Sequence, residues 1–545
     1  MDKRTLLAMF IVIVIFMVLQ TYVLKPKTPP ANQAQAQESV KRDTLIQPQA
    51  GTAVTAPAAV SQGRYSGADS TQTVTLANAV ITVKFSTLGA QINSLELKKY
   101  QTGNNHQLVD LVPAGKSLAG ITLLGPNAGP DLKTLNWHHS QPAPDSLVFW
   151  LGPVSKPLVK KAFALDDKYG LQMYVTVQDS LPVNGIEYDF SAGIADSEKI
   201  KPKTKNTDYK LLLFASNDLA KITLGKVAKD KPSGALNSFK WAALRSKYFA
   251  IAISETGNQL IRNYKAQPNP ETGNPSIVLD SYDRNPSSVW EQSFLLYTGP
   301  ADYDLLKSYA GTRLELVPER GPGWLRWLSN AIAWLLKFLH SFIPNYGVVI
   351  IIFSIILKLI LHPLTQKSMN ANLKMQKIQP QVQAIQAKYK SDPQTLQAEL
   401  SKLYKEAGAS PFSGCFPLLL QMPIFIALYN VLRYTMDMRN AKFFGWLKDL
   451  SEPDPLYILP ILMAAFMILQ SLMTRPSQEA LDKMDEKQKA MQQSTKMMTW
   501  VMPIMMFFIF MGLPSGLVLY YAVFNILSVV HQYYLQKHLK QKETA

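Results

Sequence analysis

Apolar and polar positions change rhythm several times along this chain, and each rhythm predicts a different element. Leu6 to Leu24 form one unbroken apolar run behind Lys3 and Arg4. About 20 such residues cross a bilayer core of about 30 Å, and no small-residue cleavage pattern closes the run, so an uncleaved anchor is expected at 1–24. From 63 to 318 short stretches alternate with period two. In Val80 to Phe85, Ile81, Val83 and Phe85 share one face, and Thr82 and Lys84 the other. The same alternation recurs at 146–151, 171–177, 209–214 and 249–254, with Gly, Pro, Asn and Asp between, and predicts a soluble β-sandwich. Residues 319–343 bring Trp324, Trp327 and Trp334 together with Arg326, Lys337 and His340. Tryptophan favours the headgroup level, so an interfacial amphipathic helix is expected there.

Beyond 344 the apolar stretches reach membrane length. Spans are expected near 345–364, 413–433, 456–474, 498–512 and 516–534, five helices that make six with the N-terminal anchor. In the loop 365–412, Met375, Ile378, Val382, Ile385 and Tyr389 recur at steps of three and four, as do Leu396, Leu400, Leu403 and Ala407. Ser391-Asp392-Pro393 between them is a helix-start signal, so the loop reads as an antiparallel helical hairpin. Pro380 is expected to kink its first arm or mark where that arm begins. Residues 25–62, rich in Pro, Ala, Gln and Thr, read as a flexible linker.

Charge sets the orientation. The loop 365–412 carries seven lysines against three acids, and the tail 536–545 has Lys537, Lys540 and Lys542 against Glu543. The loop 434–455 has Arg439, Lys442 and Lys448 against Asp437, Asp449, Glu452 and Asp454, while 475–496 is nearly balanced. Basic loops stay in the cytoplasm, which puts both termini and the hairpin inside and the β-domain outside. The net charge of +17 suits anionic lipid headgroups and also ribosomal RNA. The one cysteine, Cys415, leaves the exported segment without disulfides.

Chemistry-bearing motifs are few. The sequence has no phosphate-cradling glycine loop, no paired metal ligands and no nucleophile elbow, so neither an enzyme nor a cofactor or metal is expected. His106, His138 and His139 in the β-region have no local acidic partner. The spans hold no Asp or Glu in their interiors, which argues against an ion-driven transporter. What stands out is Lys358 inside the apolar run from Gly347 to Leu361. Either its long stem snorkels to the inner headgroups, or it lines a wet recess with Ser354, one turn away, and Gln421 of another span. Sixteen of the twenty methionines follow residue 360, which fits adaptable apolar surfaces and ordinary membrane cores equally.

Taken in order, several motifs resemble those of the YidC/Oxa family of membrane protein insertases. They are Lys358 to Leu364, Ser410 to Phe425 with Pro417, Gln421 and Pro423, Asp454 to Met463 with Pro460, and Leu513 to Tyr521. The stretch Ser86-Thr-Leu-Gly89 to Tyr100 looks like the periplasmic supersandwich of Gram-negative members. The resemblance implies a multi-pass protein of the bacterial inner membrane: a periplasmic β-supersandwich, a five-helix insertase core at 344–535 and the cytoplasmic hairpin. It implies a groove open to the cytoplasm and the inner leaflet and closed outward, with Lys358, Ser354, Gln421 and Tyr521 lining it. The family places arginine where this chain has Lys358, so the charge is kept and the planar fork is lost. The partners implied are nascent membrane proteins, the Sec translocon, the ribosome and targeting machinery, and membrane lipids, with no DNA. A polytopic transporter or channel is the alternative reading.

Overall fold

The computed structural model describes residues 65–544, except 103–106, 126–128, 179–182, 199–201, 258–259, 283–288, 390–391, 409–415 and 474–499. The expected N-terminal anchor, the linker 25–62, His106, Cys415 and the loop 475–496 lie outside the described residues. The described residues form two compact units, one ending at Pro318 and one beginning at Glu319.

In the first unit the described residues form antiparallel sheets of four, five and nine strands. The period-two stretches become the strands Ile81–Ser86, Ser146–Leu151, Gly170–Val177, Lys210–Ala215 and Phe249–Glu255. Alternation is what lets one face enter the core: in Ser146–Leu151 every second residue is buried. Phe85, Phe149 and Phe163 meet across two sheets with ring centroids 4.7–6.2 Å apart. The turn after Ile81–Ser86 needs Gly89, whose φ is +72°, and a Cβ there would lie 2.8 Å from the Lys133 carbonyl oxygen.

Several polar side chains are buried in this unit, Lys161 and Arg245 the largest of those fully buried. Lys161, on the strand Val159–Leu165, is fully buried. Its Nζ donates to the carbonyls of Ala90, at 2.8 Å, and of Ala119. Both alanines have positive φ, 47° and 61°, a conformation that costs an alanine about 1 kcal/mol or more. The amine therefore ties down two strained turns. Burial without a counter-charge pushes it down to about 7.

The second unit is helical. We number its elements α1 (Arg326–His340), α2 (Tyr346–Lys388), α3 (Pro393–Glu406), α4 (Phe416–Tyr434), α5 (Ile458–Met473), α6 (Trp500–Phe510) and α7 (Ser515–Thr544). Within α2 and α7, Tyr346–Ala371 and Ser515–Gln536 are long and apolar enough to cross a membrane. The apolar helices α5 and α6 are shorter, and both abut the undescribed 474–499.

Helix α1 buries Ile332, Ala333 and Leu336 and leaves Trp324 just before it, Trp327, Trp334 and Phe338 exposed. That is the two-faced pattern expected of an interfacial helix. The hairpin differs from expectation in one respect. Its first arm is no separate helix but the continuation of α2, which runs 43 residues through Pro363 and Pro380. Each proline removes one ladder hydrogen bond, and here that does not end the helix. The second arm starts as expected: Asp392 accepts from the amides of Gln394 and Thr395, with Pro393 in the first turn. Hydrogen bonds from the Thr395 hydroxyl and amide hold the Asp392 carboxyl below its usual range.

Candidate substrate groove

Helices α2, α4 and α7 bring the residues singled out from the sequence together. Asn345 caps α2 by accepting from the amides of Gly347 and Val348 at 2.9 and 3.2 Å. Two and three turns on come Ser354 and Lys358, both buried. Ser354 Oγ donates back to the Ile350 carbonyl at 2.6 Å, so its hydroxyl proton is engaged within its own helix.

Lys358 does not reach toward a helix end. It is 8% exposed, and its Nζ donates to Ser528 Oγ of α7 at 2.6 Å. The same ammonium lies 4.3 Å from the centroid of the Phe524 ring. Among the described residues it makes no ion pair. Its neighbours on α7 are a hydroxyl and a π-face, which hold a cation without neutralising it.

Gln421 of α4 donates from Nε2 to the Tyr520 hydroxyl at 2.7 Å. Tyr520 is fully buried and lies 5.8 Å from Phe524, ring to ring. Tyr521, the tyrosine implied by the resemblance, packs edge-on against Phe425 at 5.7 Å and Phe510 at 5.0 Å. One turn beyond Lys358, His362 meets His531 at 4.4 Å. Sequence reasoning missed Phe524, Ser528, Tyr520 and His531. Their spacing along α7 was the available signal, since 520, 524, 528 and 531 fall on one helical stripe.

The opposite end of the bundle is closed by the loop between α4 and α5. Met438, Leu447 and Leu450 of this loop are buried. Phe443 covers Gly347 at the start of α2, and Asn345 Nδ2 donates to the Phe443 carbonyl at 3.2 Å. The carbonyls of Glu452 and Leu450 accept from the amides of Ser515 and Gly516 at 2.7 and 2.9 Å. Asp454 accepts from Trp446 Nε1 and from the amides of Leu456 and Leu459 at 2.8–3.0 Å, capping α5. A helix start has free N–H groups that need acceptors, and this loop supplies acceptors for two helices and seats its Phe443 on a third.

A β-rich domain followed by apolar helices, two of them of membrane length, is the make-up of a class: membrane proteins with a large extramembrane domain. The particular family follows from sequence. A model described as the 60Kd inner membrane protein matches residues 338–543, and one for the YidC periplasmic domain matches 73–335. A membrane protein insertase YidC from Geobacter metallireducens is 30% identical over all of both chains. One from Geobacter sulfurreducens is 31% identical over 85% of each. A crystal structure of an active YidC insertase, with its first transmembrane domain resolved, aligns at 18% identity and a TM-score of 0.36, covering 86% of this chain and 94% of that one. The chain belongs to the YidC family of membrane protein insertases. It is a non-enzymatic insertase of the inner membrane that carries the family's periplasmic domain.

Proposed function

We propose that Lys358 is the working charge of an insertion groove formed by α2, α4 and α7, with Ser354, Gln421 and Tyr521 in its lining. The observation that carries the reading is the buried, unneutralised ammonium between two apolar helices. A lone charge in hydrocarbon costs roughly 2.5–3.5 kcal/mol on insertion scales, so the position is expensive unless the charge is used or hydrated. A nascent span brings a polar, often acidic outer segment into the membrane. A wet recess shortens its dry path, and the ammonium attracts it. The span then moves into lipid along the apolar faces of α4 and α6, driven by burial of apolar surface. No nucleotide takes part in this step.

The full topology belongs to the same proposal. Leu6–Leu24 is the first of six spans, both termini are cytoplasmic, and 63–318 lies in the periplasm. The lysine-rich loop 365–412 supports this orientation. The hairpin of α2 and α3 captures substrate or contacts the ribosome and targeting machinery, and the groove works alone or beside the Sec translocon. A transporter or channel is the second reading. It is disfavoured because the described apolar helices contain no Asp or Glu in their membrane-length stretches.

The test is protease protection of a newly made single-span protein in cells depleted of the native insertase. Lys358→Arg is expected to insert normally, and Lys358→Ala and Lys358→Glu to fail at equal protein levels. Normal insertion by Lys358→Ala, for acidic and neutral substrates alike, removes the charge from the mechanism.

A further inference from the structure

A lysine on a membrane helix has a four-carbon stem that ordinarily carries its charge to the nearest headgroups. Something must hold Lys358 inside. We infer that Phe524 and Ser528 are the positioning residues that keep the Lys358 ammonium in the recess as an unneutralised cation, and so set the preference for acidic substrate segments. The second clause rests on the insertion-groove reading; the first does not.

The geometry carries the inference. Ser528 Oγ donates its proton to the Phe524 carbonyl one turn back, at 2.7 Å. A lone pair is then left facing Lys358 Nζ, which donates to it at 2.6 Å. With its proton spent on its own helix, the hydroxyl is a fixed acceptor. Phe524 supplies the second hold through its ring face at 4.3 Å. The ring is itself braced by Tyr520, 5.8 Å away, and Tyr520 by the amide of Gln421 at 2.7 Å. Neither partner is anionic. A carboxylate here would anchor the lysine more strongly but would cancel the field that an incoming acidic segment senses. A hydroxyl and an aromatic face satisfy the donor and leave the charge.

Two readouts test this on the full-length protein in membranes. The first is physical. Inside-out vesicles are treated with a membrane-impermeant amine-reactive ester, and acylation of Lys358 is followed by mass spectrometry in wild type, Ser528→Ala, Phe524→Leu and Ser528→Thr. Released from its partners, the amine is expected to snorkel and label several-fold faster in the first two variants, with Ser528→Thr near wild type. Equal labelling in all four overturns the positioning role.

The second readout is functional. Insertion of two single-span substrates that differ only in an acidic or neutral outer segment is compared in the same variants. Ser528→Ala is expected to slow the acidic substrate by about tenfold, the scale of one hydrogen bond to a charged group, and to leave the neutral one within about twofold. Equal slowing of both marks a merely structural role and overturns the inferred preference. Faster labelling with no change in insertion keeps the positioning pair but removes Lys358 from substrate handling, which separates failure of this inference from failure of the groove reading.

Discussion

The ring of Phe443 occupies the space that a side chain on Gly347 would fill: a Cβ built there falls 1.9 Å from Phe443 Cδ2. The contact joins the first turn of α2 to the loop 435–457, which also supplies carbonyl acceptors to the first turn of α7. The closed end of the bundle thus depends on a hydrogen atom at residue 347, because any larger group must displace the aromatic ring.

Gly347→Val is therefore expected to lift the loop. With Cys415→Ser as background and Leu450→Cys as reporter, labelling by an impermeant thiol reagent added from outside should rise several-fold in Gly347→Val. Leu450 is fully buried in the parent structure. Unchanged labelling would show that the loop is held without this contact.

Asp454 ties the same loop to α5. Its carboxylate accepts three hydrogen bonds while only 2% exposed. Asp454→Ala leaves Trp446 Nε1 and two amides without their acceptor, which costs on the order of 2–3 kcal/mol. The detergent-solubilised protein should lose several degrees of thermal stability. Asp454→Asn, which keeps one acceptor oxygen, should lose less. The check is a thermal aggregation series.

Lys161 gives the β-domain a pH-dependent stability of defined sign. In the fold the amine is held down to about 7, against an ordinary 10.5. Between those values the unfolded chain binds a proton that the folded chain does not, so stability rises with pH across the window. Below it the full cost of a buried charge applies. Relative to Lys161→Met, the wild-type domain should gain about 1.4 kcal/mol per pH unit within that window. Urea unfolding of the exported segment at a series of pH values measures it, and parallel curves for the two proteins would contradict the assignment.

The two units also predict how the chain tolerates deletion. The described residues up to Pro318 form one compact unit with its own sheets and core. Removing most of 63–318 while keeping the junction into α1 should leave insertion of a Sec-independent substrate largely intact. Loss of insertion at normal levels of the truncated protein would assign the β-domain a direct part in transfer.

Much of this was legible because periodicity is a local property. Alternation at 146–151 and 249–254 needs only the pleat of a strand to become structure, and Asp392-Pro393 needs only the first turn of a helix. Lys358, Ser354 and Gln421 were found because a polar group in an apolar run is conspicuous wherever it points. The reach of α2 was less legible, since Pro380 reads as a kink or a start and the long helix runs on through it. Phe524 and Ser528 were not legible. Serine and phenylalanine are ordinary in an apolar helix, and their meaning lies in facing a lysine 170 positions away in the chain.

By itself the sequence determined the order of the elements, the anchor-like and membrane-length segments, the charge bias of the loops, the absence of catalytic motifs and the family resemblance. All of these follow from composition and short-range spacing. Only the tertiary structure decided what each polar group faces. It paired Lys358 with a hydroxyl and a ring, joined Gln421 to the buried Tyr520, and fixed the loop 435–457 to three helices. The reason is physical: a hydrogen bond or a ring contact depends on distances of a few ångströms between remote residues. Such distances are set by how whole helices pack.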